Sequence, residues 1–206
     1  MIKAKHHIVI YPLFKLLTRY LLKRNFNSIN IEGVFNDNVK PVLVIANHIS
    51  WWDGFWISYL NLKVTHRKIH FMMLEEQLKK HWYFQFSGAY SIKKNSRSVL
   101  DSIDYTYELL KVKENMVFVF PQGKINSMQN NFITFEKGVK RIVETCITNV
   151  QVLFVANFID YFSNAKPNLF MYIKSISAFN FTDNSIEHEY NNFYMKALNE
   201  QKTKVS

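Results

Sequence analysis

The chain has 206 residues, with 26 Lys and Arg against 16 Asp and Glu for a formal charge of +10, and 48% of its residues are hydrophobic. That length and hydrophobic share suit one folded domain and leave no room for two large ones, while five Gly and four Pro exclude a fibrous or low-complexity chain. One cysteine, Cys146, excludes an internal disulfide framework and a multi-cysteine zinc site, and the positive charge favours a phosphate-bearing partner: nucleic acid, anionic lipid or a phosphorylated substrate.

The first 31 residues contain no Asp or Glu. Lys15, Arg19, Lys23 and Arg24 alternate there with Ile8, Phe14, Leu17, Leu21 and Leu22, a pattern that predicts a basic amphipathic helix over 8–23 with Pro12 in its first turn. Such a helix suits two positions, an anionic membrane interface or the protein's own core. Residues 1–27 are read as a membrane-contacting segment ahead of a domain spanning 28–206. The same cations interrupt any signal-peptide pattern. The longest stretch without a charged residue, 145–159, carries Thr, Asn and Gln, so no transmembrane helix is expected.

Beyond that segment, apolar runs of strand length at 41–46, 69–74, 116–120 and 150–155 alternate with helical patterns at 54–60, 98–112 and 136–147. A strand at 169–173 and a polar helix at 185–201 complete the reading. Alternation of this kind predicts an α/β fold, a mixed and largely parallel sheet covered by helices.

The junction after the first buried run reads Asn47-His48-Ile49-Ser50-Trp51-Trp52-Asp53-Gly54. Loops following strands are where α/β folds carry their chemistry. A tight turn would let the Asp53 carboxylate accept a hydrogen bond from one imidazole nitrogen of His48, freeing the other to act as a base. The spacing alone better suits a helix N-cap at Asp53 and a turn histidine at 48.

Further segments follow in order. Gly88-Ala89-Tyr90-Ser91-Ile92-Lys93 is a glycine, an apolar strand and a cation, with Lys94 and Arg97 beyond it; Phe120-Pro121-Gln122-Gly123-Lys124-Ile125-Asn126 follows a strand; and Phe135-Glu136-Lys137-Gly138-Val139 opens a helix. Together with Asn47, His48, Ser50 and Asp53, and with the apolar strand at 150–155, this series resembles the glycerolipid acyltransferase family typified by 1-acylglycerol-3-phosphate acyltransferase, over roughly residues 30–160. The resemblance implies that fold and an O-acyltransferase, carrying the family's His-x4-Asp motif, in which His48 is the general base and Asp53 orients it. It implies a fatty acyl donor on coenzyme A or acyl carrier protein and a lysophospholipid acceptor, with no metal and no cofactor beyond that co-substrate. Asn47, Ser50, Lys93, Lys94, Arg97, Pro121, Gln122, Gly123 and Lys124 are its implied substrate-binding residues.

Two positions depart from the family's third motif: Gln122 stands where the family has Glu, and Ile125 where it has Arg. Loss of that guanidinium opens a second reading, a phosphate-free lipid or glycolipid alcohol as acceptor, and a third, an inactive membrane-binding scaffold of the same fold. Amphiphilic substrates and the basic first segment imply peripheral attachment to an anionic membrane surface at its cytoplasmic face. No nucleic-acid-binding motif accompanies the charge, so no nucleic-acid partner is expected. His66 and His70 lie four apart without the adjoining Glu of a zinc protease.

Overall fold

The apolar runs assemble into one seven-stranded sheet in the computed structural model, which describes residues 1–93, 98–146, 150–176 and 186–205. In chain order come α1 (Ile10–Asn25), β1 (Ser28–Glu32), β2 (Val42–Ala46), α2 (Asp53–Leu60), a π-helical turn (Asn61–Thr65), β3 (Lys68–Leu74) and α3 (Glu75–Lys80). A 3-10 turn (Trp82–Phe86) leads to β4 (Ala89–Ile92), α4 (Ser98–Leu109), β5 (Asn115–Val119), α5 (Lys137–Cys146), β6 (Gln151–Asp160), β7 (Asn168–Ile176) and α6 (Ile186–Lys202). The strands lie in the order β1-β7-β6-β2-β5-β3-β4. Five run parallel; β7 is antiparallel to β6, and β1 pairs parallel to β7. The expected mixed, largely parallel α/β sheet is the observed one.

β2 is the central strand, and all five of its residues are buried because helices cover both faces. Leu43 and Ile45 point to the face packed by Ile103 of α4, Ile142 and Val143 of α5, and Tyr190 and Tyr194 of α6. Val42, Val44 and Ala46 point the other way, to Phe14 and Leu22 of α1 and Phe55 and Trp56 of α2. Burial of each such aliphatic side chain is worth about 1.5–3 kcal/mol.

The N-terminal helix begins at Ile10 and ends at Asn25, two residues later at each end than the periodicity predicts, with Pro12 in its first turn. Phe14, Thr18 and Leu22 form its inner face, and Phe14 meets Phe55 and Phe84 at ring-centroid distances of 5.7 and 5.9 Å. Leu13, Leu16, Leu17 and Tyr20, an i, i+3, i+4, i+7 series, form an exposed outer face. The helix thus carries two apolar stripes, one inside the core and one on the surface, with Lys15, Arg19 and Lys23 between them by the 3.6-residue period.

Residues ahead of α1 lie along the β4 edge of the sheet. Ile2 and Ser91 exchange bonds of 2.7 and 2.9 Å, Lys5 N–H donates to Gln85 O at 2.9 Å, and His6 bridges Ser87. This strap covers a row of peptide groups that would otherwise be open to pairing. Gly88 permits the approach: it adopts φ +103°, and a Cβ there would stand 2.1 Å from Ile69 O and 2.9 Å from His6 Nε2. At its other end α1 delivers the chain to β1, on the opposite edge. The 16-residue helix, about 24 Å long, thus crosses most of a sheet that measures about 29 Å between its outer strands, and the residues at its two ends complete the crossing.

β1, the π-helical turn, α3 and the 3-10 turn are each only five or six residues long, too short to stand out in the sequence. In β1, Ile29 and Ile31 alternate with Ser28, Asn30 and Glu32 at a half-buried edge, so it lacks the continuous hydrophobicity of the inner strands.

Candidate active site

β2 ends at Ala46, and the next residue continues its work with a side chain. The Asn47 carboxamide accepts from Asn157 N–H at 2.7 Å and donates to Asn157 O at 2.9 Å, acting as one more peptide paired to β6. Asn47 is wholly buried. The main chain then turns, and His48 emerges at the C-terminal end of the sheet, its side chain 23% exposed.

Asp53, the first residue of α2, closes that turn. One oxygen, Oδ2, accepts from His48 Nδ1 at 2.6 Å and from the Ile49 and Ser50 amides at 2.7 and 2.9 Å. The N-cap position of α2 is Trp52, and the Asp53 carboxylate bonds run back to the histidine loop. Burial pushes its carboxyl above the usual range, while the His48 hydrogen bond and the Ser50 and Ile49 amides pull it down. The α2 N-terminus also favours the anion. Ser50 Oγ accepts from Trp52 N–H at 3.2 Å, stabilising the same turn.

With Nδ1–H held by the carboxylate, the lone pair resides on Nε2, which bonds to no described residue. The ring is also held flat: Phe120 stacks on it at 4.3 Å and 10°. Carboxylate and aromatic plate together hold the imidazole in one tautomer and one orientation, an arrangement that can serve a base.

The segment after β5 grips the histidine backbone. Gln122, 3% exposed, accepts from His48 N–H through Oε1 at 2.6 Å and directs Nε2 toward His48 O at 3.4 Å. Asn126 N–H donates to the same carbonyl at 2.9 Å. Pro121 is buried, with its carbonyl accepting from Glu136 N–H at 2.8 Å. Gly123 takes φ +61° and donates to Phe120 O at 3.1 Å, making the turn that folds Gln122 onto His48.

The cations divide. Lys124 is exposed just after β5, the strand beside β2. Lys93 is exposed after β4, three strands from β2, or about 14 Å across the sheet. Lys94 and Arg97 lie outside the described residues. His70 is buried in β3, whereas His66 ends the π-helical turn. Among the described residues no group of three or more His, Cys, Asp or Glu side chains is arranged to hold a metal.

A protein-family model described as Acyltransferase matches residues 28–157, from β1 to Asn157 in β6. The chain belongs to the acyltransferase family. Among solved structures, this acyltransferase is similar to the crystal structure of the 1-acyl-sn-glycerophosphate (LPA) acyltransferase, PlsC, from Thermotoga maritima. The TM-score is 0.64 at 17% identity, covering 94% of this chain and 81% of that one. No curated protein sequence matches. The acyltransferase thus has the fold of that enzyme, and its His48 and Asp53 lie inside the matched span.

Sequence reasoning did not find Phe120 as the plate under His48, Asn126 as a partner of its carbonyl, or Asn157 as the partner of Asn47. Phe120 was within reach, since it opens the segment already singled out. Asn157 was not, because its contribution is main-chain N–H and C=O, which any residue type supplies.

Proposed function

We propose that the acyltransferase moves a fatty acyl group from coenzyme A or acyl carrier protein to a hydroxyl of a lysophospholipid such as 1-acylglycerol-3-phosphate. The observation that carries the reading is the 2.6 Å bond between His48 Nδ1 and buried Asp53, which leaves Nε2 as the basic nitrogen. Nε2 takes the acceptor hydroxyl proton as that oxygen forms a bond to the thioester carbonyl carbon. Asp53 stabilises the imidazolium. As the tetrahedral intermediate collapses, the C–S bond breaks and the thiolate takes the proton back from His48, giving ester and free thiol. Base catalysis of this kind supplies about 10²–10⁴ in rate, the remainder coming from positioning and oxyanion stabilisation. In this scheme Asn47, Ser50, Pro121 and Gln122 shape the base, and Lys124, with Lys93 farther out, attracts the anionic parts of donor or acceptor.

In this reading the site works at an anionic membrane surface, on its cytoplasmic face, as amphiphilic substrates and the basic first segment suggest. Among the described residues no helix is long and apolar enough to cross a membrane, and the outer stripe of α1 is the support for peripheral contact. Leu13, Leu16, Leu17 and Tyr20 enter the interface, and Lys15, Arg19 and Lys23 approach headgroups, each cation contributing about 1 kcal/mol near such a surface. Exposed Trp51, in the turn before α2, and Trp82, in the 3-10 turn, suit the same boundary.

One observation favours a second acceptor, a phosphate-free lipid alcohol. The Gln122 carboxamide is committed to the His48 backbone, and Ile125, half-exposed beside Lys124, offers an aliphatic surface. The test is thioester consumption with mass analysis of the lipid products, for wild type and His48→Ala, with acyl-CoA and acyl carrier protein donors. The acceptors are 1-acylglycerol-3-phosphate and a total lipid extract. An acylated product made only by wild type supports the transferase and identifies the acceptor; none from either folded protein refutes it. Failure to co-sediment with anionic liposomes at low salt refutes the membrane reading.

A further inference from the structure

Residues 120–136 connect β5 to α5 without a helix or strand, a length at which an irregular connection inside a domain needs outside support or has a function. The bonds within it include Gly123 to Phe120, Asn130 N–H and Gln129 N–H to Ser127, and Glu136 N–H to Pro121 O, which joins its two ends and leaves the stretch between them to outside support. One end is bonded to the base, through Gln122 and Asn126 on the His48 main chain. The other end is held by α6, which lies outside the span matched by the family model. The Asn191 side chain accepts from Ile133 N–H at 2.7 Å and donates to Ile133 O at 2.9 Å. Glu187 accepts from Phe135 N–H at 2.9 Å and pairs with Lys140, while Tyr194 O–H donates to Asn130 O at 3.0 Å. Asn191 and Tyr194 are buried, so these bonds are sheltered from competing water.

We propose that Asn191 is a positioning residue for catalysis: through Ile133 it holds the 124–135 segment in the path that brings Asn126 onto the His48 carbonyl. The inference rests on the reading of His48 as the base and adds the part that keeps its backbone still. α6 belongs to the machinery in this account. Its side chains reach the loop across 58 residues of sequence, and its opposite end is tied down separately, by Gln201 bonded to Tyr172 O–H and Asp160.

The test compares Asn191→Leu, Asn191→Asp and Gln201→Leu with wild type and His48→Ala, at a temperature where circular dichroism finds each protein folded. Amide exchange is the first readout. Asn191→Leu is expected to raise exchange at Asn126 and across 126–135 at least tenfold while β5 stays protected; Gln201→Leu leaves Asn126 unchanged. With oleoyl-CoA and 1-oleoylglycerol-3-phosphate as probes, Asn191→Leu is expected to lower kcat about tenfold with KM within twofold. Asn191→Asp, which still accepts from Ile133 N–H, recovers part of both losses. Unchanged Asn126 protection in Asn191→Leu overturns the proposal, as does an equal loss in Gln201→Leu, which would mean a general loosening of α6. His48→Ala separates the two readings. If it remains active, the base assignment fails; if it is dead beside a fully active Asn191→Leu, only the role of Asn191 fails.

Discussion

Stability should fall steeply with acid because of one histidine away from the candidate site. His70 is 4% exposed in β3, and neither ring nitrogen has a hydrogen-bond partner. Its ring meets that of His6 edge-on at 4.7 Å. Burial, with repulsion from His6 and Lys68, outweighs the opposing pull of the nearby Asn115 side chain and lowers its pKa from 6.5 to about 3. Between those values the unfolded chain takes up a proton that the folded chain refuses, so stability is complete above pH 6.5 and drains away as pH falls toward 3. The slope is about 1.4 kcal/mol per pH unit, so the loss at pH 5 is about 2 kcal/mol, a sizeable part of a typical 5–15 kcal/mol. Urea unfolding followed by circular dichroism at pH 7.5 and 5.0 measures it. His70→Leu keeps an apolar side chain and cannot titrate, so its stability should drop by about 2 kcal/mol less than wild type over that interval. His6, whose pKa burial also lowers, remains in both proteins. Equal pH dependence in the two would refute the reasoning.

Asp53→Asn removes the anion that fixes the His48 tautomer and should lower kcat at least 10²-fold in the thioester assay, with the fold retained by circular dichroism. Asn47→Ala leaves the Asn157 N–H and C=O unpaired in the core and should cost about 2–4 kcal/mol in urea unfolding. Gly88→Ala places a methyl group against Ile69 O at a positive φ and should cost about 2–3 kcal/mol in the same assay. Leu16→Asp, on the exposed stripe, should weaken co-sedimentation with anionic liposomes while changing unfolding stability by no more than about 0.5 kcal/mol.

The inner strands were legible because burial on both faces demands uninterrupted apolar runs such as Val42–Ala46. β1 escaped notice because it is only five residues long, although Ile29 and Ile31 alternate with Ser28, Asn30 and Glu32 as in a half-buried strand. The reversal of β7 and β1 is a matter of pairing, which no local pattern encodes. At the site, the five-residue interval from His48 to Asp53 suited a helix cap as well as a bond to the histidine, and Oδ2 makes the second. Lys93 and Lys124 looked alike as cations after strands; strand order sets one near His48 and the other far across the sheet. Gln122 read as a lost charge, and its amide proves to be a clamp whose Nε2–H a carboxylate could not supply.

The seating of β1 has a consequence for synthesis. Ser28 lies beside Asn168, 140 residues later, and the strap on the far edge likewise waits for residues 85–91. At about 5–20 residues per second, a ribosome holds β1 without its partner for roughly 7–28 s, the interval in which an unpaired strand is most exposed to the wrong neighbour. During that interval, the cations and the absence of acid in the first 31 residues give the growing N-terminus a repulsion against other copies of itself.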